Sequence, residues 1–198
     1  MEAIVRKKII MDATMQIVAE RGLETFSVIQ VSKRTHINEA LIYRDFNTKE
    51  NLLFECYNEV AKEVAALYEN PQKIDMSDPN AMMKACHDIF IQYFSFLVKN
   101  SYKTIYYQSY RDSEHIVTYI QRERDGLAAS FDGFKYLILP ITQIANLPEG
   151  MTMDYVWTYI MDTSGIFAKR IIRKELPDTE DSYEAVWKLL FTGLAGLM

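Results

Sequence analysis

Apolar residues recur at helical spacing from Ala3 to Glu20, where Ile10, Ala13, Ile17 and Val18 share one face. Gly22 follows, at the place of a left-handed stop. A short second helix is predicted from Ser27, because Ser27 and Gln30 have capping-box spacing and Phe26 and Val31 are spaced as a hydrophobic staple. Thr35-His36 interrupts that pattern, and Asn38 then caps a third helix over Asn38 to Arg44, with Ile37 and Ile42 as its staple. Thr48 caps a fourth helix reaching about Tyr68, before Asn70-Pro71 breaks it.

Asp78-Pro79 reads as an N-cap followed by proline at the first helical position, opening a helix to about Lys99. Its predicted buried stripe is Met82/Met83, Cys86, Ile89/Phe90, Tyr93/Phe94 and Leu97. A tyrosine-rich stretch (Tyr102, Tyr106, Tyr107, Tyr110) leads into a helix predicted from about Ser113 to Leu139, which Pro140 terminates. Thr152 starts another helix that ends before Pro177, with Lys169, Arg170, Arg173 and Lys174 near its C-terminal end, where the helix dipole favours cations. The last helix begins near Thr179, with Glu180 and Asp181 at its N-terminus. Nothing alternates as a strand does and nothing repeats, so the fold class is all-α.

Composition narrows this further. Only 7 glycines and 5 prolines leave few tight turns, as a helical chain requires. Two cysteines, Cys56 and Cys86, are too few for a disulfide framework, and no charged stretch followed by an apolar signal core stands near the start. Every apolar run is interrupted well short of the ~20 residues of a membrane span, so a soluble, cytoplasmic protein is expected. Residues 1–55 carry eight basic and eight acidic residues, which places the whole formal charge of −5 in the remainder. A nucleic-acid reading therefore has to rest on the placement of particular groups. No metal site, cofactor or catalytic residue is predicted. His36 falls in a turn, His87 and His115 lack ligands at zinc spacing, and Cys86 and His87 diverge by about 100° on a helix.

Two short helices joined by a three- or four-residue turn, braced by a helix before and one after, can push one helix into a DNA major groove about 12 Å wide. The stretch from Phe26 to Leu52 resembles the signature of the tetracycline-repressor (TetR) family of regulators without a gap. Its most specific part is Ile42-Tyr43-Arg44-Asp45-Phe46-Asn47-Thr48-Lys49-Glu50-Asn51-Leu52, similar to the family's Leu-Tyr-x-x-Phe-x-x-Lys-Glu-x-Leu. Ser32 and Thr35 stand where alanines are common, and His36 where glycine usually makes the turn. Histidine adopts positive φ more readily than most residues. Asp45 replaces a residue that is more often aromatic, and an acid so close to phosphates weakens binding unless it points away.

The resemblance implies an N-terminal three-helix helix-turn-helix DNA-binding domain (1–47), a connecting helix (48–70) and a larger helical ligand-binding and dimerisation domain (71–198). Tyr43, Lys49 and Ser27 are suited to phosphate oxygens. Asn38, Glu39 and Ala40 lie at the entering end of the recognition helix, where Glu39 can accept from cytosine N4 and Ala40 can meet a thymine methyl; Arg44 is a candidate for phosphate or guanine. Phe26, Val31, Ile37, Ile42, Phe46 and Leu52 are expected to form the small core that sets the angle between the two helices.

The aromatic density between Phe90 and Tyr119 brings more hydroxyls than a purely structural core needs. With the ligand pocket that the resemblance implies, it makes His87, Phe90, Tyr93, Phe94, Tyr106, Tyr107, Tyr110 and Tyr119 candidates for binding a small, largely apolar effector. The last two helices carry Met153, Val156, Trp157, Ile160, Met161, Phe167, Val186, Trp187, Leu190, Phe191, Leu194 and Leu197, more apolar surface than one thin layer buries, with Ser164, Gly165, Gly193 and Gly196 permitting close approach. A homodimer through a four-helix bundle is expected. The functional expectation is a repressor released from operator DNA by its ligand. The competing reading is a DNA-associated adaptor or co-regulator of the same fold that acts through a protein partner.

Overall fold

The computed structural model describes residues 2–67, 78–130 and 150–195, and every regular element among them is a helix. In chain order these are α1 (Ala3–Arg21), α2 (Val28–Thr35), α3 (Glu39–Phe46), α4 (Lys49–Ala66), α5 (Pro79–Lys99), α6 (Ser101–Arg111), α7 (Ile116–Arg124), α8 (Met153–Ile172) and α9 (Glu180–Ala195). They fall into two compact units, Met1–Lys62 with Tyr102–Ala129 and Glu63–Ser101 with Ser130–Met198. Among the described residues no helix is long and apolar enough to cross a membrane.

In the first unit α1, α2 and α3 pack on one another. Phe26, Val31, Ile37, Ile42, Phe46 and Leu52 are all buried there, together with Ile10, Ile17 and Val18 of α1. Gly22 ends α1 at φ 86°, ψ 155°, a positive φ as expected but outside the left-handed helical region. The tyrosine-rich stretch is itself a helix, α6, and it lies against α4. The Tyr57 ring stacks on Tyr107 at 4.7 Å and on Tyr110 at 4.5 Å and meets the edge of Tyr119 at 4.5 Å. Such pairs add about 0.5–1.5 kcal/mol each beyond their buried area.

The helix expected from Ser113 to Leu139 is shorter. It starts at Ile116 and ends at Arg124, because Gly126 at φ 71° turns the chain so that the Leu127 N–H donates back to the Arg122 carbonyl at 2.7 Å. Pro140, the expected terminator, lies outside the described residues, as do Tyr68, Asn70 and Pro71.

In the second unit α5 packs on α8 and α9. Asp78 caps α5 by accepting from the Asn80 N–H at 2.9 Å, with Pro79 in the first turn. Phe90 meets Trp187 at 5.4 Å and Phe94 meets Tyr183 edge-on at 5.1 Å, which fastens α5 to α9. Of the expected stripe, Met82, Cys86, Phe90, Tyr93, Phe94 and Leu97 are buried and Ile89 half-buried. Met83 is exposed: one position on from Met82, it has turned off the packed face.

Candidate nucleic-acid interface

The entry to α2 is set locally. Gln30 Oε1 accepts the Ser27 N–H at 3.0 Å, filling one donor that a helix start leaves open. At the other end His36 takes φ 57°, ψ 21°, the left-handed conformation that the turn demands. Thr35 supports this non-glycine turn, its hydroxyl donating to the Val31 carbonyl at 2.8 Å and accepting from the Ile37 N–H at 3.2 Å. Asn38 caps α3, its Oδ1 accepting from the Ala40 N–H at 2.8 Å. That occupies the Asn38 acceptor at the cap, on an exposed side chain whose Nδ2 can donate elsewhere.

On α3 the buried residues are Ile42 and Phe46, while Asn38, Ala40, Tyr43 and Arg44 are exposed and Glu39 is half-buried. Glu39 and Tyr43, and likewise Ala40 and Arg44, are one helical turn apart, so a single outward strip carries a carboxylate, a methyl, a phenol that is 44% exposed and a guanidinium. Lys49 opens α4, whose first turn is capped by the Thr48 hydroxyl accepting from the Asn51 N–H at 3.0 Å. The Lys49 Nζ stands 5.8 Å from the centre of the Phe26 ring. Ser27 is half-buried at the start of α2.

Asp45 turns toward α1, with its Oδ1 also 3.8 Å from the Nε of Arg44. Its carboxylate takes two hydrogen bonds from Arg6 of α1, from Nε at 2.6 Å and from a terminal nitrogen at 2.9 Å, and its side chain is only 7% exposed. The hydrogen bonds from Arg6 hold the carboxyl below the usual carboxylate range, against the upward push of burial. The acid that would repel phosphate is thereby turned inward and neutralised, and it ties α1 to the last turn of α3. Arg34 and Glu20 form a second paired fork, between α2 and α1, with contacts of 2.9 and 2.5 Å.

Two polar residues outside the sequence-based set matter to this geometry. The Asn51 Nδ2 donates to the carbonyl of Phe46, the last residue of α3, at 3.0 Å, while its Oδ1 accepts from Arg122 of α7 at 2.9 Å. Asn51, at the third position after Thr48, could have been noted in sequence as part of a helix start; Arg122 carried no signal, because its partner is 71 residues away.

The effector candidates divide between the two units. Tyr106, Tyr107, Tyr110 and Tyr119 belong to the first and are buried. The Tyr106 hydroxyl donates to the Leu53 carbonyl at 2.6 Å and that of Tyr119 to the Ala129 carbonyl at 2.5 Å. His87, Phe90, Tyr93 and Phe94 belong to the second. Phe90, Tyr93 and Phe94 are buried, whereas His87 is half-exposed, with Nε2 2.8 Å from Glu184 Oε1, Nδ1 3.1 Å from Asp88 Oδ1 and its ring edge-on to Trp187. Burial lowers the His87 pKa, but hydrogen bonds and charge from Asp88 and Glu184 outweigh it and the net shift is upward. A residue not anticipated is Gln108, whose buried Nε2 has no acceptor among the described residues. Among the described residues no cluster of three or more His, Cys, Asp or Glu could hold a metal ion.

On α8 and α9, Val156, Ile160, Met161, Val186, Trp187 and Leu190 are buried within the protomer, and Trp157, Phe167 and Phe191 are half-buried. Among the described side chains, the large apolar ones left exposed are Tyr155, Tyr159 and Ile166 of α8 and Leu189 of α9. The three on α8 are spaced by four and seven residues, one continuous stripe. Gly193 lets α9 come close to α8, since a Cβ there would stand 2.6 Å from the Tyr159 hydroxyl. Leu197 and Gly196 lie outside the described residues.

Residues 10–56 match the family described as bacterial regulatory proteins, tetR family. Among solved structures the chain resembles a TetR family transcription regulator from Marinobacter aquaeolei VT8, 16% identical, with a TM-score of 0.71 and 94% of each chain covered. It also resembles a putative tetR family transcription regulator from Shewanella sp. PV-4, 17% identical, with a TM-score of 0.73, covering 95% of this chain and 97% of the other. A third similar structure is the transcriptional regulator FadR from Bacillus subtilis in complex with stearoyl-CoA, 17% identical, with a TM-score of 0.64, covering 96% of this chain and 99% of that one. No curated protein sequence matches the chain.

Proposed function

With residues 10–56 matching the tetR family of bacterial regulatory proteins, we propose that the chain is a repressor that grips operator DNA as a homodimer and is released by a small, largely apolar ligand. The observation that carries the DNA part is the outward strip of Glu39, Ala40, Tyr43 and Arg44, beside Lys49, with the acid of Asp45 withdrawn onto Arg6. Tyr43, Lys49 and Ser27 hold phosphates and so fix register, while Asn38, Glu39 and Ala40 read bases and Arg44 reads either. The exposed stripe of Tyr155, Tyr159 and Ile166, with Leu189, supports a two-fold interface through α8 and α9. The interface would set the spacing of the two heads.

For the ligand, the support is chemical. The Tyr106 and Tyr119 hydroxyls are spent on backbone carbonyls, but the buried Gln108 Nε2 meets no acceptor among the described residues. An effector with an apolar body and one acceptor would satisfy it. The stearoyl-CoA held by the similar Bacillus subtilis structure is a molecule with a long apolar part, which agrees in kind.

The test is selection and sequencing of genomic fragments bound by the full chain, followed by a thermal-shift screen of hydrophobic metabolites with every hit retested for operator release. A hundredfold release requires about 2.7 kcal/mol of coupling. Operator binding that no hit alters would favour the adaptor reading, and the solid tyrosine stack around Tyr57 is the observation on that side.

A further inference from the structure

Every hydrogen-bonding part of Asn51 used in the structure is tied to a different place. Its N–H goes to the Thr48 hydroxyl, its Nδ2 to the carbonyl ending α3, and its Oδ1 to Arg122 of α7. The carbonyls of a helix's last turn have no partner within the helix, so what they bond to decides how the helix ends. Phe46 O accepts from the Thr48 N–H at 2.8 Å and from Asn51; Tyr43 O accepts from the Asn47 N–H at 2.7 Å. Lys49, the proposed phosphate ligand, stands two residues before Asn51 and three after Phe46.

Arg122 is itself fixed. Its guanidinium carbon lies 3.9 Å from the centre of the Phe54 ring, close enough for a strong cation–π contact. Further along, the Ala129 N–H donates to Asn58 Oδ1 at 2.9 Å and the Tyr119 hydroxyl to the Ala129 carbonyl. Asn51, Phe54 and Asn58 are three and four residues apart, one face of α4. Arg122 and Ala129 are therefore both fastened along that face, and one of the fastenings continues through a single side chain into the end of α3.

We infer that Arg122 is a positioning residue for DNA binding, acting through Asn51 to hold the end of α3 and the start of α4 in docking geometry. The Asn51 amide suits this place, because it accepts from a guanidinium with one atom and donates to a carbonyl with the other. The inference rests on the DNA-docking reading above, but half of its test needs no DNA.

The variants are Arg122→Ala, Arg122→Lys and Asn51→Asp. Amide exchange is measured on the free protein, and affinity for a selected operator fragment is measured across a salt series. Arg122→Ala is expected to speed exchange of the Asn47 amide and to weaken operator binding about tenfold, with the slope of log affinity against log salt unchanged. Arg122→Lys, which keeps a donor, restores most of both. Asn51→Asp keeps the acceptor but loses the donor to Phe46 O, so it reproduces the loss, and the double variant Asn51→Asp/Arg122→Ala is no weaker than either single one. Unchanged exchange at Asn47 in Arg122→Ala overturns the inference. So does a salt slope flatter by about one unit, since Arg122 would then be a phosphate ligand itself. A wild-type protein that selects no DNA refutes the docking reading and leaves the exchange result standing on its own.

Discussion

In the first unit charged and amide links join the helices beside the tyrosine stack on Tyr57, whereas in the second aromatic faces carry the contact between α5 and α9. Arg6 forks Asp45 and Arg34 forks Glu20, while Arg122 gives Asn51 a single hydrogen bond, each pair joining different helices. Between α5 and α9 the contacts are Phe90 on Trp187 and Phe94 on Tyr183, with one polar link from His87 to Glu184. Hydrogen bonds between forked groups are directional and fix an angle, whereas apolar contact fixes a distance and tolerates sliding. A unit that must present side chains to a groove needs the former. The second unit instead leaves Tyr155, Tyr159, Ile166 and Leu189 in solvent, a surface that suits association.

The contrast breaks most visibly if that surface is charged. Ile166→Glu with Leu189→Glu is expected to give monomers whose operator affinity falls on the order of a hundredfold, because one head alone forfeits the effective concentration supplied by its tethered twin. Sedimentation and operator titration check this together. A monomer that binds as tightly as the parent would show that these two residues are not the interface. The corresponding changes in the first unit are smaller. Lys49→Ala and Tyr43→Phe should each weaken binding to all sequences by roughly tenfold and flatten the salt slope by about one unit, while Glu39→Ala should change which bases are preferred. A Lys49→Ala protein with affinity and slope both intact would remove Lys49 from the docking surface.

Acid and base act on the two units in opposite directions. The Asp45 carboxyl is held below its ordinary 3.8 by Arg6, so its contribution to stability is present above that value and is lost as pH falls through the lowered one. His87 is shifted upward from 6.5, so its link to Glu184 is fully present below 6.5 and is lost as pH rises through the raised value. The melting-point gap between the parent and Asp45→Asn should therefore be constant near neutrality and close in acid. The gap to His87→Gln should be open at pH 6 and close toward alkaline pH. For the partly exposed histidine it should not exceed about 2–4 °C. Gaps that close in the same direction would contradict the assignment of these two links.

Much of the helix-turn-helix head was legible because its signals are local. The Ser27/Gln30 pair, the Asn38 cap and the buried Phe26, Ile37, Ile42 and Phe46 all act within a few residues of themselves. Asp45 was not legible in direction, since the Arg6 that turns it inward is 39 residues away. Nor did spacing reveal that α6 and α7 belong to the same compact unit as the head, for that depends on Tyr57 finding Tyr107, Tyr110 and Tyr119. On α8, helical periodicity marks apolar residues but does not say which face meets its own unit. Val156 and Ile160 turn inward, and their neighbours Tyr155 and Tyr159 turn outward.

The smallest expected effect separates geometry from chemistry inside the head. His36 sits at φ 57°, where a side chain bearing Cβ costs about 1–2 kcal/mol relative to the right-handed helix. Glycine removes that cost but loses about 0.5–1 kcal/mol more backbone entropy on folding. His36→Gly should then stabilise by no more than about 1.5 kcal/mol, a rise of a few degrees at most in melting point for a chain of this size. Thr35 already holds the turn through Val31 and Ile37, so α3 should not move and operator affinity should stay as it is. A lower melting point would mean that the His36 ring contributes contacts outweighing its backbone cost. Altered base preference at unchanged stability would mean that the turn itself sets the angle of α3, and that Thr35 is not what fixes it.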